Sequence, residues 1–503
     1  MNRFFAENKA ESGHGRRSLQ GGVASIVARS INAGIQIASV LFLARLLSPE
    51  DYGLVSMVTA LTGLIAVMLD LGTRDALVQR ARISEREASA LFWVTVVISC
   101  VLAVIVAACG SVIGRFYGEP RLAAIVLVSS FTFVGSAIAA QHYALLRRAM
   151  KFDELGAIEV VAHIVGAAGA VLLAFNGFGY WALVFRPVLA QACVTIGVWA
   201  RTWWVPSGPS FTPAVKEMLG FGIRITGYRI TDFSTKSFDR VALGYRTGAA
   251  GLGYYQNALL VYENLLDVLV FNLHAVGVAS LSKLRNDRPE LRRLWKKALS
   301  TLAFYTMPAF GLLAVTSQDL LAVVLGKKWF PAGVLLSVIA LRGIPHSIER
   351  TAGWLHVAAG RTDRWMKWGL FSAAAHVAAL MAGLPFGAMG VAGAYALCMF
   401  LLFIPSISYA GRPLGIGAWD VWDAVGRQLG GAMIAVAVGF SLRYAILADA
   451  RWTVRIVLVA GAYCAVYGIL VVGLLRVRTP VVAALSLAGD RLPSRFLNRA
   501  AAL

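Results

Sequence analysis

Apolar residues fill most of this chain in stretches of roughly 20, the length that crosses a bilayer as a helix, with short polar connections between them. The pattern predicts about fourteen spans, near residues 22–44, 52–71, 89–113, 122–145, 157–175, 180–200, 217–243, 253–276, 297–316, 332–357, 366–384, 389–408, 422–446 and 454–475. No connection is long enough for a folded extramembrane domain. Residues 1–20 are polar, and the apolar run after Arg16 and Arg17 continues to about Leu47. That is too long for a signal peptide's core, so it reads as a retained first span. The expected fold is an all-α integral membrane protein.

Polar positions inside the spans are the informative ones, because a charge at the bilayer centre costs at least about 2.5–3.5 kcal/mol on insertion scales. In the first span Ser25, Arg29, Asn32, Gln36 and Ser39 follow helical spacing and form one polar stripe. The stripe cannot face lipid; it faces a wet cavity or bonds a neighbouring helix. The seventh span is the most polar. There Tyr228, Asp232, Thr235 and Asp239 share a face, flanked by Arg229, Lys236 and Arg240, with Arg224 at the start. Its two acids leave it net positive, so it reads as an anion-attracting cavity wall or as an amphipathic helix in the membrane interface. Glu263, Asn264 and Asp267 in the eighth span and Arg342, His346, Glu349 and Arg350 in the tenth are candidates for interhelical ion pairs or for ion coupling. Arg186 and Arg443 fall where a long side chain could snorkel to the interface. Most histidines stand alone in apolar helices and read as hydrogen-bonded interior residues.

Composition agrees with lipid as the solvent. Of 503 residues, 58% are hydrophobic and only 15% charged, and the mean hydropathy is +0.69. A soluble domain is usually ~45–50% apolar and ~25% charged. The net charge of +21 would suggest nucleic acid in a soluble protein. Here the bases collect at the N-terminus and in every second loop, as in Arg74, Arg80, Arg82 and Arg86, or Arg147, Arg148 and Lys151. Alternate loops such as 176–180 and 385–390 are nearly bare. That asymmetry predicts cytoplasmic termini and removes any need for a nucleic-acid partner. The five cysteines lie in apolar runs without a CxxC and read as small buried hydrophobes. Walker A, HExxH and GxSxG motifs are absent, so no enzyme activity, cofactor or metal is expected.

A Pro-rich stretch, Trp204–Pro213, separates the first six spans from the rest and reads as an inter-lobe linker. Residues 43–53 (LARLLSPEDYG) can be laid on residues 243–253 (LGYRTGAAGLG) without gaps. Six spans per lobe return the chain to its starting side, which makes the lobes parallel repeats, a transporter layout. The expected domains are residues 1–207, residues 208–412, and two extra helices with a basic tail in 413–503.

Several phrases then carry a family resemblance: Leu46–Gly53 (LLSPEDYG), Asp70–Gln79 (DLGTRDALVQ), Ala144–Phe152 (ALLRRAMKF), Phe238–Gly244 (FDRVALG), Gly251–Tyr255 (GLGYY), Leu325–Ala332 (LGKKWFPA) and Ala359–Asp363 (AGRTD). Together, in this order over roughly residues 18–410, they resemble the polysaccharide transport, Wzx-like, lipid-linked oligosaccharide flippases of the MOP superfamily. The resemblance implies two six-helix lobes around a central cavity that opens alternately to each side of the bacterial inner membrane. It implies a polyprenyl-pyrophosphate-linked oligosaccharide as substrate, with lipid, a polysaccharide polymerase and export machinery as further partners. By similarity to the related lipid II flippases, the two extra helices would border a groove for the lipid tail. By position, Arg29 and Arg224 or Arg229 are the best counterparts of the basic residues that engage the pyrophosphate there; together with Lys236 and Arg240 they would hold the headgroup electrostatically, and Arg presents a planar fork suited to phosphate oxygens. Asn32, Gln36, Tyr228 and Tyr262 are candidates for saccharide contact, and Asp232, Asp239, Glu263 and Asp267 for ion coupling. The rival readings are a cation antiporter of the same superfamily, which would need a net acidic cavity, and a membrane polysaccharide polymerase or ligase, which would need a large outer loop. A membrane scaffold would not explain the interior charges.

Overall fold

A computed structural model describes residues 14–69, 72–80, 83–208, 213–284 and 287–477. Among them the secondary structure is helical throughout. In chain order the helices are α1 (His14–Leu46), α2 (Pro49–Leu69), α3 (Thr73–Gln79), α4 (Glu85–Tyr117), α5 (Arg121–Arg148), α6 (Phe152–Phe175), α7 (Trp181–Thr202), α8 (Pro213–Lys283), α9 (Arg288–Val324), α10 (Phe330–Glu349), α11 (Ala352–Ala359), α12 (Thr362–Gly383), α13 (Gly387–Gly411), α14 (Ala418–Ser441) and α15 (Trp452–Tyr467).

Ten stretches of described helix are long and apolar enough to cross a membrane, so the chain is an integral membrane protein. One of them, Asp363–Leu414, holds two of the spans expected from the sequence. The expected spans 52–71, 217–243 and 253–276 are not among the ten.

The helix ends follow from local chemistry. At the start of α4 the Ser84 hydroxyl accepts from Glu87 N while Glu87 Oε2 accepts from Ser84 N at 2.8 Å, a capping box that satisfies free amides at both ends of the first turn. Ser48 and Asp51 make the equivalent exchange ahead of α2, with Pro49 as its first residue. Helix α8 is broken at Gly248, where φ is +69° and ψ −174°, a conformation that L side chains rarely adopt.

The chain divides into two compact units, residues 1–253 and 254–503. In the first, α4 packs on α5, α5 on α7, and α7 on α6, which in turn carries α1. In the second, α9 packs on α10, α10 on α13, and α13 on α12. The same packing order therefore occurs twice. The second unit adds α14 and α15, both packed on α9.

Polar pins run along the α9–α14 contact. Arg292 Nε donates to Asp420 Oδ1 at 2.8 Å, Lys296 Nζ to Asp423 Oδ2 at 2.6 Å, and Gln428 Nε2 to Ser300 Oγ at 2.7 Å. The described part of the Pro-rich stretch is also fastened. Trp204 is buried in the core of the first unit, Trp93 Nε1 donates to Ser207 O at 2.8 Å, and Ser207 N donates to Ser89 Oγ at 3.0 Å.

The cysteines depart from expectation. Cys100, Cys109 and Cys464 are exposed on helix surfaces, and Cys193 and Cys398 are half-buried. In a bilayer an apolar residue need not be inside the protein, because lipid is as good a solvent for it as the core.

Candidate functional site

The stripe on α1 is open. Arg29 and Gln36 are exposed, Asn32 is half-buried and Ser39 is buried. Among the described residues nothing covers Arg29. The buried Oδ1 of Asn32 has no hydrogen-bond partner among the described residues.

For the most polar segment, the backbone is helical within α8, but the side chains of residues 221–236 lie outside the described residues. Arg224, Tyr228, Arg229, Asp232 and Lys236 fall there. Beyond them, Arg240 is half-buried and Asp239 is buried, with its Oδ1 accepting from Arg240 N at 2.8 Å.

Tyr262 is not an open saccharide platform. It is 0% exposed. Its hydroxyl lies 2.5 Å from His346 Nδ1, and the Arg342 guanidinium stands 4.7 Å above its ring. Arg342 also sits 5.7 Å over the Tyr395 ring, which meets the edge of His376 at 5.7 Å. This is a partly buried network from four helical segments of the second unit, with Tyr262 and Tyr395 buried and Arg342 between their two aromatic faces. Nearby, Ser406 Oγ donates to Glu349 Oε1 at 2.7 Å, and Arg350 Nη1 pairs with Asp267 Oδ1 at 3.4 Å. Asp267 and Arg350 thus form an exposed ion pair. Glu263 is exposed.

One charged centre was not legible in the sequence. Asp319 near the end of α9 is 1% exposed and is clasped by two arginines, Arg443 and Arg455, at 2% and 8%. Arg455 donates through Nε to Oδ2 at 2.9 Å and through Nη2 to Oδ1 at 2.5 Å. Arg443 donates to both carboxylate oxygens, and its Nη2 also reaches Gln318 Oε1 at 3.0 Å. Spare Arg455 donors go to the carbonyls of Leu447 and Ala448. Arg443 therefore does not snorkel. It lies in a widened turn, Leu442–Ile446, at the end of α14 and points into the protein. The triad locks α14 and α15 to α9, and its single acid leaves it net positive.

Known proteins add an independent finding. The family profile described as "Polysaccharide biosynthesis protein" matches residues 42–333. The chain is 25% identical to the lipopolysaccharide biosynthesis protein WzxC of Escherichia coli K12, over 79% of this chain and 82% of that protein. It is 25% identical to the succinoglycan biosynthesis transport protein ExoT of Rhizobium meliloti, over 63% of this chain and 64% of that one. It is 23% identical to the probable low-salt glycan biosynthesis flippase Agl15 of Haloferax volcanii, over 67% of this chain and 70% of that one. Among solved structures, the lipid II flippase MurJ in an inward closed conformation superposes with a TM-score of 0.67 at 16% identity, covering 91% of this chain and 100% of that one. At that identity the likeness is one of fold.

Proposed function

The chain belongs to the polysaccharide biosynthesis protein family, and from that premise we propose that it is a flippase for an oligosaccharide carried on a polyprenyl pyrophosphate. It works by alternating access in the bacterial inner membrane, with both termini cytoplasmic. It supplies a polymerase and export machinery for a surface or secreted polysaccharide. The names of the relatives support the substrate class.

The observation that carries the reading is Arg29. A permanently charged, exposed side chain on an otherwise apolar helix faces water or an anion, because lipid would exact the insertion cost. A pyrophosphate is the anionic part of the substrate, and charge-assisted donors suit it. Arg224, Arg229, Lys236 and Arg240 complete the cationic set, and Asn32, Gln36 and Tyr228 face the sugar. Tyr262, itself buried, acts from behind as part of the Arg342 network. The expected lobes, 1–207 and 208–412, with 413–503 appended, are supported by the packing order shared by α4–α7 and α9–α13. Compact units follow packing and need not coincide with lobes counted by spans. Asp232, Asp239 and Glu263 stay candidates for coupling; Asp267 is better suited to holding Arg350. A cation antiporter would need acids where α1 presents Arg29. A polymerase or ligase would need a large outer loop, whereas the described connections are short. No covalent step is required.

The test replaces Arg29 and Arg229 separately with Ala in a strain lacking the gene and measures surface polysaccharide. Export should fall at least about tenfold, the effect of 1.4 kcal/mol of lost binding or barrier lowering. Normal export at normal protein levels in both mutants would overturn the assignment.

A further inference from the structure

The connections at one end of the second unit carry charge unequally. Successive spans there alternate in direction, so the α9–α10 turn (325–329), the α12–α13 turn (384–386) and the α14–α15 connection (447–451) share an end. The opposite end carries Arg288, Arg292, Arg293, Lys296 and Lys297 at the start of α9. The positive-inside bias therefore puts the three connections on the outer face, where insertion calls for no bases. The α12–α13 turn has none. The other two do. Lys327 and Lys328 lie in the first and Arg451 in the last, all three exposed.

The two basic turns make one patch. Lys327 Nζ stands 5.7 Å from the ring centroid of Trp452, the first residue of α15. Behind them lies the Asp319 cluster, where two arginines share one acid. A buried excess charge is screened less than an exposed one, so the cluster adds to the positive potential of the surface. Both turns are held in place. Trp329, 0% exposed, anchors the first, and its N donates to Gly326 O at 3.0 Å. Arg455 anchors the second, with Nη1 donating to Leu447 O at 3.4 Å and to Ala448 O at 2.8 Å. The bases are thus kept together against their mutual repulsion. Beside them, Tyr444, Ile446, Val454 and Val457 on the end of α14 and the start of α15 are all exposed. In a membrane those side chains meet hydrocarbon. A basic patch next to lipid-facing apolar surface fits a molecule with an anionic head and an apolar body. A soluble anion would engage the bases and leave the apolar surface unused.

We propose that Lys327, Lys328 and Arg451 form a binding site for the phosphate headgroup of an anionic lipid in the outer leaflet. Its phosphate bridges the two turns, and its chains lie against the apolar surface beside them. The bound lipid ties the α9–α10 turn to the α14–α15 connection at the surface, as the Asp319 cluster does beneath. The site asks only for a phosphate on a lipid, so its occupant is a phospholipid such as phosphatidylglycerol or a polyprenyl phosphate. None of the residues assigned to the substrate headgroup takes part, and the site does not depend on the flippase reading.

The test uses the full chain with its five cysteines replaced by Ser and a bimane fluorophore on Thr453→Cys, next to Trp452, in phosphatidylcholine vesicles. Quenching by doxyl-labelled phosphatidylglycerol is compared with quenching by doxyl-labelled phosphatidylcholine at equal mole fraction. The anionic lipid should quench about fivefold more effectively, what one base near a membrane surface contributes. Lys327→Gln, Lys328→Gln and Arg451→Gln together should bring the ratio to unity. A bimane on Met389→Cys, beside the uncharged α12–α13 turn of the same face, should also give a ratio near unity. If the triple variant fails to accumulate, Lys328→Gln with Arg451→Gln, which leaves Lys327 on Trp452, is read instead and should at least halve the ratio. Relief of quenching by unlabelled phosphatidylglycerol or by an unlabelled polyprenyl phosphate supports the site, and the more effective competitor names the source. A ratio near unity in the parent, an unchanged ratio in the accumulated variant, or an equal ratio at Met389→Cys would overturn the proposal. So would relief by inorganic phosphate and by neither lipid.

Discussion

Replacing Asp319 removes the one acid between two buried arginines. Asp319 accepts two donors from Arg443 and two from Arg455, including contacts of 3.1, 2.9 and 2.5 Å. With exposures of 1–8% across the three residues, water cannot substitute for the lost carboxylate. Removing one partner of a buried ion pair costs about 3–5 kcal/mol, mostly because a desolvated charge is left behind. Asp319→Ala strands two guanidinium groups, so about 5 kcal/mol is expected. Asp319→Asn keeps one acceptor and should cost roughly half of that, within the 1–3 kcal/mol range of a buried group left unpaired. For a unit of 150–250 residues, 1 kcal/mol moves Tm by about 2–4 °C. The Ala variant should therefore melt about 10–20 °C lower, read by heating the purified protein in detergent and measuring the monodisperse fraction. The triple variant Asp319→Leu, Arg443→Met, Arg455→Met removes the charges together. Apolar replacement of a whole buried ionic cluster is often neutral or stabilising by about 1–4 kcal/mol, so the triple should melt above the single Ala variant. A Tm within 2 °C of the parent for Asp319→Ala, or a triple variant less stable than the single, would refute the reasoning.

Three further outcomes follow from local geometry. Arg342→Lys keeps the charge but loses the planar group between Tyr262 and Tyr395; it should cost about 0.5–2 kcal/mol in the same assay. Combined with Tyr262→Phe it should cost less than the sum of the two, because they share one network. Between α4 and α5, the hydrogen bond and charge of Arg121 hold the Glu119 carboxyl below its ordinary range. A carboxyl depressed in the folded state adds stability above its unfolded pKa and loses it as pH falls through the folded value. Arg121→Ala should thus lower Tm at pH 7 by an amount that vanishes on acidification below about pH 4; the exposed pair limits the effect to about 1 kcal/mol. Gly248→Ala puts a Cβ at φ +69° and should destabilise by about 1–2 kcal/mol, measured as loss of the monodisperse fraction at fixed temperature.

How much of this was legible beforehand depended on whether a residue's role is local. The all-helical, membrane-spanning character of the chain and the α1 stripe are properties of neighbouring residues, and hydropathy and periodicity display them. The gapless match of residues 43–53 with 243–253 could be read from the sequence, but it shares only the leading Leu and the closing Gly, too little to define a repeat by itself. Asp319 was missed because the expected ninth span stops at 316, where charges begin, whereas α9 runs on to Val324. Hydropathy penalises each charge separately and cannot know that its neutralising partners sit 124 and 136 residues away. For the same reason Arg443 looked like a snorkelling side chain and Tyr262 like a candidate for saccharide contact, when the polar partners of Tyr262, Arg342 and His346, lie 80 and 84 positions away. Arg29 is the opposite case. Its charge was legible, and among the described residues it stays exposed on α1. A charge inside a span therefore has to be asked who neutralises it. Where the fold supplies the partner, as at Asp319, the charge concerns assembly; where the described residues supply none, as at Arg29, a ligand is the proposal that the Arg29→Ala export assay tests.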